Sequence, residues 1–184
     1  IEQMQAALNS DPKNVPIREA LASALLRKGQ IKEAQGELRK LLDTVPTHAE
    51  ANYLMAQILF QQGNADEAVN HLRATLRSNP SHVGARTVLA RYLAQKGQTE
   101  QALGEYEAVL RVNPNLPDVK FQVGILYARI GRLPEALRLA RELEQSEPKS
   151  PAPPLLRGTV LLAQHNPQGA VDAFTAALKL KPDL

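Results

Sequence analysis

The chain has 184 residues, with 22 Lys and Arg against 19 Asp and Glu and a formal net charge of +3. It holds no Cys and no Trp, which excludes a disulfide framework, a thiolate metal site and a cysteine nucleophile. A surplus of three charges is too small to draw nucleic acid, and no apolar run approaches the ~18 residues of a membrane span. Ile1 rather than Met opens the chain, so an excerpt is expected whose missing N-terminus could hold a secretory signal.

Punctuation residues recur at one interval. Pro12, Pro46, Pro80, Pro114, Pro148 and Pro182 stand 34 positions apart. Gly29, Gly63, Gly97 and Gly131 keep that interval, with His165 next in the series. Two further columns run in step: Ala34, Ala68, Ala102, Ala136 and Ala170, and the small residues Ala22, Ala56, Ala90, Gly124 and Gly158. Four columns on one period define an internal repeat. In chain order, residues 1–14 read as the second helix of a truncated unit, with Ile1, Met4, Ala7 and Leu8 in its core columns. Five full units follow at 15–48, 49–82, 83–116, 117–150 and 151–184, expected to make one continuous domain.

Unit two displays the logic. Ala51, Leu54, Met55, Ile58 and Leu59 recur at helical spacing and predict an amphipathic helix over 49–62. Gly63 stops it, because glycine adopts positive φ and lets the last carbonyls be satisfied. Asp66 is the predicted N-cap of a second helix over about 66–78, with Ala68, Val69, Leu72 and Leu76 facing inward. Pro80 ends it by disfavouring helix at Asn79. Ala68 against Ala56 lets the two helices approach closely. Such a pair cannot bury its apolar face alone, so the units must stack, and without alternating β-branched runs the chain reads as all-α.

Unit five departs from the pattern. It opens Pro148-Lys-Ser-Pro-Ala-Pro-Pro154, places Arg157 in a core column and has His165-Asn166 where the glycine would stand. Its first helix is expected to start late, near Pro153 or Pro154, and to be short, with Asn166 supplying the left-handed turn.

A helix–turn–helix unit of 34 residues with a small residue at its eighth position, Gly at the fifteenth, Ala at the twentieth and Pro at the thirty-second resembles the tetratricopeptide repeat (TPR) family. Leu21, Met55, Leu89 and Val123 at the seventh position, and Leu25, Leu59, Leu93, Tyr127 and Leu161 at the eleventh, extend the likeness over essentially the whole chain. The aromatic common at the fourth position is replaced by Arg18, Asn52, Arg86, Lys120 and Pro154. The resemblance implies a right-handed superhelical solenoid of antiparallel helix pairs, its concave groove lined by the first helix of each pair. It also implies a non-enzymatic protein-binding scaffold with no cofactor. Within the family, Leu139-Ala-Arg-Glu-Leu143, Pro148-Lys-Ser-Pro151 and Leu161-Leu-Ala-Gln164 give a texture similar to bacterial TPR lipoproteins of exopolysaccharide and exosortase (PEP-CTERM) systems. That texture implies a periplasmic or cell-envelope setting, with the cytoplasm as the alternative.

Positions two, five, nine, twelve and thirteen of each first helix share one stripe, which by the family's geometry lines the groove. Unit one offers Glu19, Ser23, Leu26 and Arg27; unit two Glu50, Tyr53, Gln57, Phe60 and Gln61. Unit three offers Gly84, Thr87, Arg91, Ala94 and Gln95; unit four Asp118, Phe121, Ile125, Ala128 and Arg129. Tyr53, Phe60 and Phe121 are three of only seven aromatics, and they are expected to anchor an extended or helical peptide, with Gln57 and Arg91 supplying directional polar contacts. Phe60 carries a second reading, as filler against the neighbouring unit. A chaperone-tail carboxylate clamp is not expected, because Glu19, Ser23, Leu54, Gly84 and Val88 stand where the family places its Lys, Asn and Arg.

His48, His71, His82 and His165 read as solvated turn residues; His48 and His82 share one turn position, so a stacked pair is conceivable, and no acidic cluster completes a metal shell. Arg138, Arg141 and Glu142 mix both signs and read as a solvated face. Two other functions stand beside the scaffold. One is homo-oligomeric self-assembly through repeat ends, where Val171, Phe174 and Leu178 lack a capping helix. The other is regulation of an enzyme attached in the full-length chain.

Overall fold

The computed structural model describes residues 1–183. Leu184, the last residue of the fifth predicted unit, lies outside the described residues. The fold class is all-α, with eleven helices and no strand among the described residues: α1 (Glu2–Ser10), α2 (Val15–Arg27), α3 (Ile31–Thr44), α4 (Ala49–Gln61), α5 (Ala65–Ser78), α6 (Val83–Gln95), α7 (Thr99–Val112), α8 (Pro117–Arg129), α9 (Leu133–Ser146), α10 (Ala152–Ala163) and α11 (Pro167–Leu180). They form two compact units, one covering Ile1–Arg86 and one beginning at Thr87. In the first, α1 packs on α2, α2 on α3, α3 on α4 and α4 on α5. In the second, α7 packs on α8, α8 on α9 and on α10, α9 on α10 and α10 on α11.

Two local devices cut the chain into these pieces. Asp11, Val45, Asn79, Asn113, Glu147 and Lys181 end their helices at φ between −134° and −144°. Each precedes a repeat proline, whose ring pushes the residue before it out of the helical region. Between the helices of a pair, Gly63 adopts φ +81°, and the Asn64 backbone N–H reaches back to the Leu59 carbonyl at 2.9 Å. The same reach-back recurs from Gln30 to Leu25, from Gln98 to Leu93 and from Arg132 to Tyr127. It closes the helix end by satisfying a carbonyl that has no intrahelical partner.

The fifth turn corrects the expectation for Asn166. His165 takes the left-handed backbone, at φ +59°, while Asn166 caps α11 by accepting from the Gly169 N–H at 3.0 Å. A left-handed residue with a Cβ costs about 1 kcal/mol, and the cap offsets part of that. The proline run also delays its helix less than expected. Pro151 is the N-cap and α10 begins at Ala152, with Pro153 and Pro154 in the first turn, where a missing N–H is no loss. The helix has 12 residues, one fewer than α8. Arg157 does not fill its core column but turns to Glu144 at 2.7 Å. Asp66 is not an N-cap: α5 begins at Ala65 behind Asn64, leaving Asp66 in the first turn, where negative charge favours the helix end.

The core is a stack of small and branched side chains. Ala22, Ala34, Leu38, Leu41, Ala56, Ala68 and Leu72 are fully buried, and Leu8 of α1 packs with Leu21, Leu25 and Ala34. The small-residue column is finely graded. At Gly124 a Cβ would strike the side chain of Leu156, and at Gly158 the ring of Phe174. Phe174 is therefore half-buried over Gly158 rather than left bare.

The fourth position, lacking its aromatic, holds a polar tether instead. Arg18 is buried and bonds the Glu37 carboxylate and the Pro12 carbonyl. Asn52 is also buried; its Nδ2 donates to the carbonyls of Pro46 at 2.9 Å and His48 at 3.0 Å. Arg86 donates from Nε to the Pro80 carbonyl at 2.7 Å, and Lys120 pairs with Glu142 at 2.9 Å. Glu142 also meets Arg138 at 2.5 Å, so this predicted solvated face is partly an ion-pair network. With its amide N–H groups spent, Asn52 presents Oδ1 to His71 Nδ1 at 2.8 Å, which makes that ring nitrogen the donor. His71 thus belongs to the interior of a helix pair, not to a turn.

Two outcomes follow from this packing. Gly124→Ala drives a methyl into the fully buried Leu156 and lowers stability by about 1–3 kcal/mol, read by denaturant unfolding. Burial holds the His71 imidazole below its ordinary pKa against the raising effect of Glu67. The unfolded chain therefore binds that proton more readily, and the stability due to neutral His71 is present above about pH 6.5 and lost as pH falls below it. The thermal midpoint of the wild type should drop more steeply than that of His71→Gln between about pH 7.5 and pH 5.

Candidate functional site

Within the second unit, three helices converge on one recess. Helix α6 brings Thr87 and Arg91 one turn apart, α7 brings Tyr106, and α8 brings Asp118 and Phe121 from its first two turns. Together with Val119 and Gln122 they line a cavity of about 340 Å³. That is room for one or two side chains of a ligand. Tyr106 forms the buried part of the wall, at 2% exposure. Burial pushes its hydroxyl pKa up, opposed by the charge of Arg91 and by hydrogen bonding with it. A buried phenol needs a polar partner, and the guanidinium supplies it. Asp118 stands in the first turn of α8, where the helix N-terminus stabilises its negative charge.

The first unit uses the equivalent positions differently. The Tyr53 ring packs on His82, centroids 4.6 Å apart and planes tilted by 48°. A Cβ at Gly84 would lie 2.7 Å from the Tyr53 hydroxyl oxygen, so the missing side chain there is the seat of the phenol. His82 Nδ1 accepts from the Ala85 N–H at 3.1 Å, leaving Nε2 facing Glu50 at 3.3 Å. His48 repeats the arrangement, accepting from Ala51 at 3.2 Å and facing Glu19 at 3.5 Å. These histidines are not solvated turn residues. Their side chains are 20% and 14% exposed for His48 and His82, because each caps a helix with one nitrogen and addresses the preceding first helix with the other.

Of the nine predicted groove residues, Thr87, Arg91 and Phe121 share the cavity, and Glu50 and Tyr53 meet at His82. Gln57, Phe60 and Ile125 are half-buried outside the cavity, and Arg129 is exposed. Ala128, also on the predicted stripe, is buried at 4% exposure. Sequence reasoning missed Tyr106, Val119 and Gln122. Tyr106 had a signal: it is the one phenol in an inward column that otherwise holds Leu38, Leu72, Ala140 and Phe174. Two larger recesses flank α1, one beside Ile1, Leu25 and Glu33 and one beside Leu8, Arg18 and Glu37. Neither holds a predicted groove residue. Among the described residues no helix is long and apolar enough to cross a membrane, and no group of three His, Asp or Glu is placed to hold a metal ion.

Comparison with known proteins matches this architecture. No curated protein matches the chain. The structure of YrrB, described as a TPR protein with an unusual peptide-binding site, superposes with a TM-score of 0.86 at 20% identity, over 98% of this chain and 93% of that one. MamA from Desulfovibrio magneticus RS-1 gives 0.78 at 20% identity, over 91% of this chain and 95% of that one. A tetratricopeptide repeat protein from Parabacteroides merdae gives 0.67 at 19%, over 98% and 85%. At such identities the likeness is one of fold. The family model for anaphase-promoting complex, cyclosome, subunit 3 matches residues 1–75 and again 28–109, and a tetratricopeptide repeat model matches 87–151. The two matches of the first model end at residues 75 and 109, one repeat apart, so what it reads is the repeat itself. With the repeat matched from residue 1 to residue 151 and the helix pairs in place, the chain belongs to the tetratricopeptide repeat family.

Proposed function

We propose that this chain is a non-enzymatic scaffold that holds a peptide segment of a partner protein against the exposed stripe of its first helices. The observation that carries this reading is the cavity, which gathers Thr87, Arg91 and Phe121 from two successive repeats beside a buried tyrosine. A half-buried aromatic next to an exposed cation, rimmed by polar groups, is the composition of a partner site. YrrB, described as having a peptide-binding site on a similar fold, supports the same reading. The setting we infer, a bacterial envelope or exopolysaccharide assembly, rests on sequence texture alone.

A second reading, self-assembly, has its own observation. Val171 and Leu178 lie seven residues apart on α11, on one face, and are 56% and 47% exposed, with Leu162 of α10 at 51%. Light scattering distinguishes it: a mass that rises with concentration toward a multiple of one chain favours assembly, and a constant single-chain mass rejects it.

The scaffold reading predicts that a displayed random-peptide library enriches defined sequences on this chain. Phe121→Ala should weaken the selected peptide several-fold while circular dichroism stays unchanged. A library that enriches nothing, or winners indifferent to Phe121→Ala, would sink the reading.

A further inference from the structure

We propose that the Arg91 recess reads an acidic residue: its occupant is an extended segment of a partner protein in which an Asp or Glu stands beside a large apolar residue, the carboxylate on Arg91 and the apolar side chain against Phe121 and Val119. This rests on the peptide-scaffold reading and adds the chemistry of the ligand.

The donors left on Arg91, rather than the net charge of the recess, select an anion. Arg91 sits in the middle of α6, and among the described residues no carboxylate forms an ion pair with it. Asp118 is the one acid of the lining; it is exposed in the first turn of α8, whose N-terminus offsets part of its charge, and it makes no ion pair with Arg91 among the described residues. Arg91, though exposed, has a polar neighbour within the recess. Its partner is the hydroxyl of Tyr106, a side chain that is itself buried and cannot swing away. A guanidinium has five N–H donors in a fixed fork, and one phenol oxygen cannot use them all. The remaining donors match the two oxygens of a carboxylate.

The other walls fix what lies beside the acid. Phe121 is half-buried and Val119 is 6% exposed, so they form an apolar surface next to the cation. Gln122 and Thr87 add neutral polar groups suited to a peptide backbone. With one cation and one acid in the lining, the recess suits a singly charged carboxylate better than a doubly charged phosphoryl group. Tyr106 is a positioning residue, acting through Arg91.

The test uses the whole chain and the displayed library, followed by synthetic peptides. The selected peptides should carry Asp or Glu beside a large apolar residue, and remaking the best one with its acid changed to the amide should weaken it about tenfold. Arg91→Gln should weaken the acidic peptide to that same level and leave no preference for acid over amide. Tyr106→Phe should reduce that preference while the thermal midpoint, which a loss of packing would lower, stays near wild type. Two results overturn the inference and leave the scaffold reading standing: neutral or basic winners that still need Phe121, or acidic winners that bind equally well as amides. A phosphorylated peptide outbinding its Glu counterpart would also overturn it. A library that enriches nothing removes the scaffold reading, and the inference with it.

Discussion

Helices α2, α4, α8 and α10, each the first of its pair, are pressed from two sides, and the consequences of that constraint run through the molecule. Helix α4 packs on both α3 and α5, and it buries Ala51, Asn52, Met55, Ala56, Ile58 and Leu59. Helix α8 packs on α7, α9 and α10, and it buries an equally wide arc. The second helices α3 and α9 also lie between two neighbours but bury fewer side chains, Ala34, Leu38 and Leu41 in one and Ala136, Leu139, Ala140 and Leu143 in the other, whereas the second helix α7 buries six. A first helix therefore keeps only a narrow strip of exposed surface. Variation can accumulate on that strip without disturbing the stack, which is why the proposed function is placed there.

Much of this was legible in the sequence because it is decided residue by residue. A proline acts on the residue before it, a glycine on its own φ, and an alanine on how near a neighbouring helix can come. Those effects need no knowledge of the partner, so the periodic columns gave helix ends within a residue or two. Unit five shows where the reasoning thinned. The prolines of 151–154 read as a helix breaker, yet the first turn tolerates them, and the left-handed turn went to His165 because its place in the turn, and not its residue type, decided. Asp66 failed as a cap for the complementary reason: its chemistry was right and its position two residues too late.

The site was less legible, because its contacts join positions about one repeat apart. Tyr53 meets His82, and Glu50 meets the same ring from the other side. Periodicity shows that such residues recur, but it does not say which stripe residue touches which turn. His48 and His82 look like turn residues in a sequence. Only geometry shows each to be a cap that also bonds the preceding first helix. The fourth-position tethers were hidden in the same way. Arg18 and Asn52 looked like departures from the family's aromatic, whereas each is buried and bonded to a proline carbonyl six residues earlier.

Comparing equivalent positions of the two units explains why the recess opens where it does. At position five the first unit has Tyr53, which fills its space by lying on His82 and over Gly84. One repeat later position five is Thr87, too short to fill the same volume, and the residue preceding α8 is Leu116 rather than a histidine. Gly84 becomes Asp118, and position nine changes from Gln57 to Arg91. The plug is lost and two opposite charges arrive in the same step. Had Thr87 arisen alone, the result would have been a void that neighbouring side chains collapse into or that destabilises the stack. Instead Tyr106 is packed into the wall of the opening, lining it together with Arg91. A cavity bounded by a guanidinium and a half-buried aromatic has the composition of a partner site, which is what the proposed function asks of it.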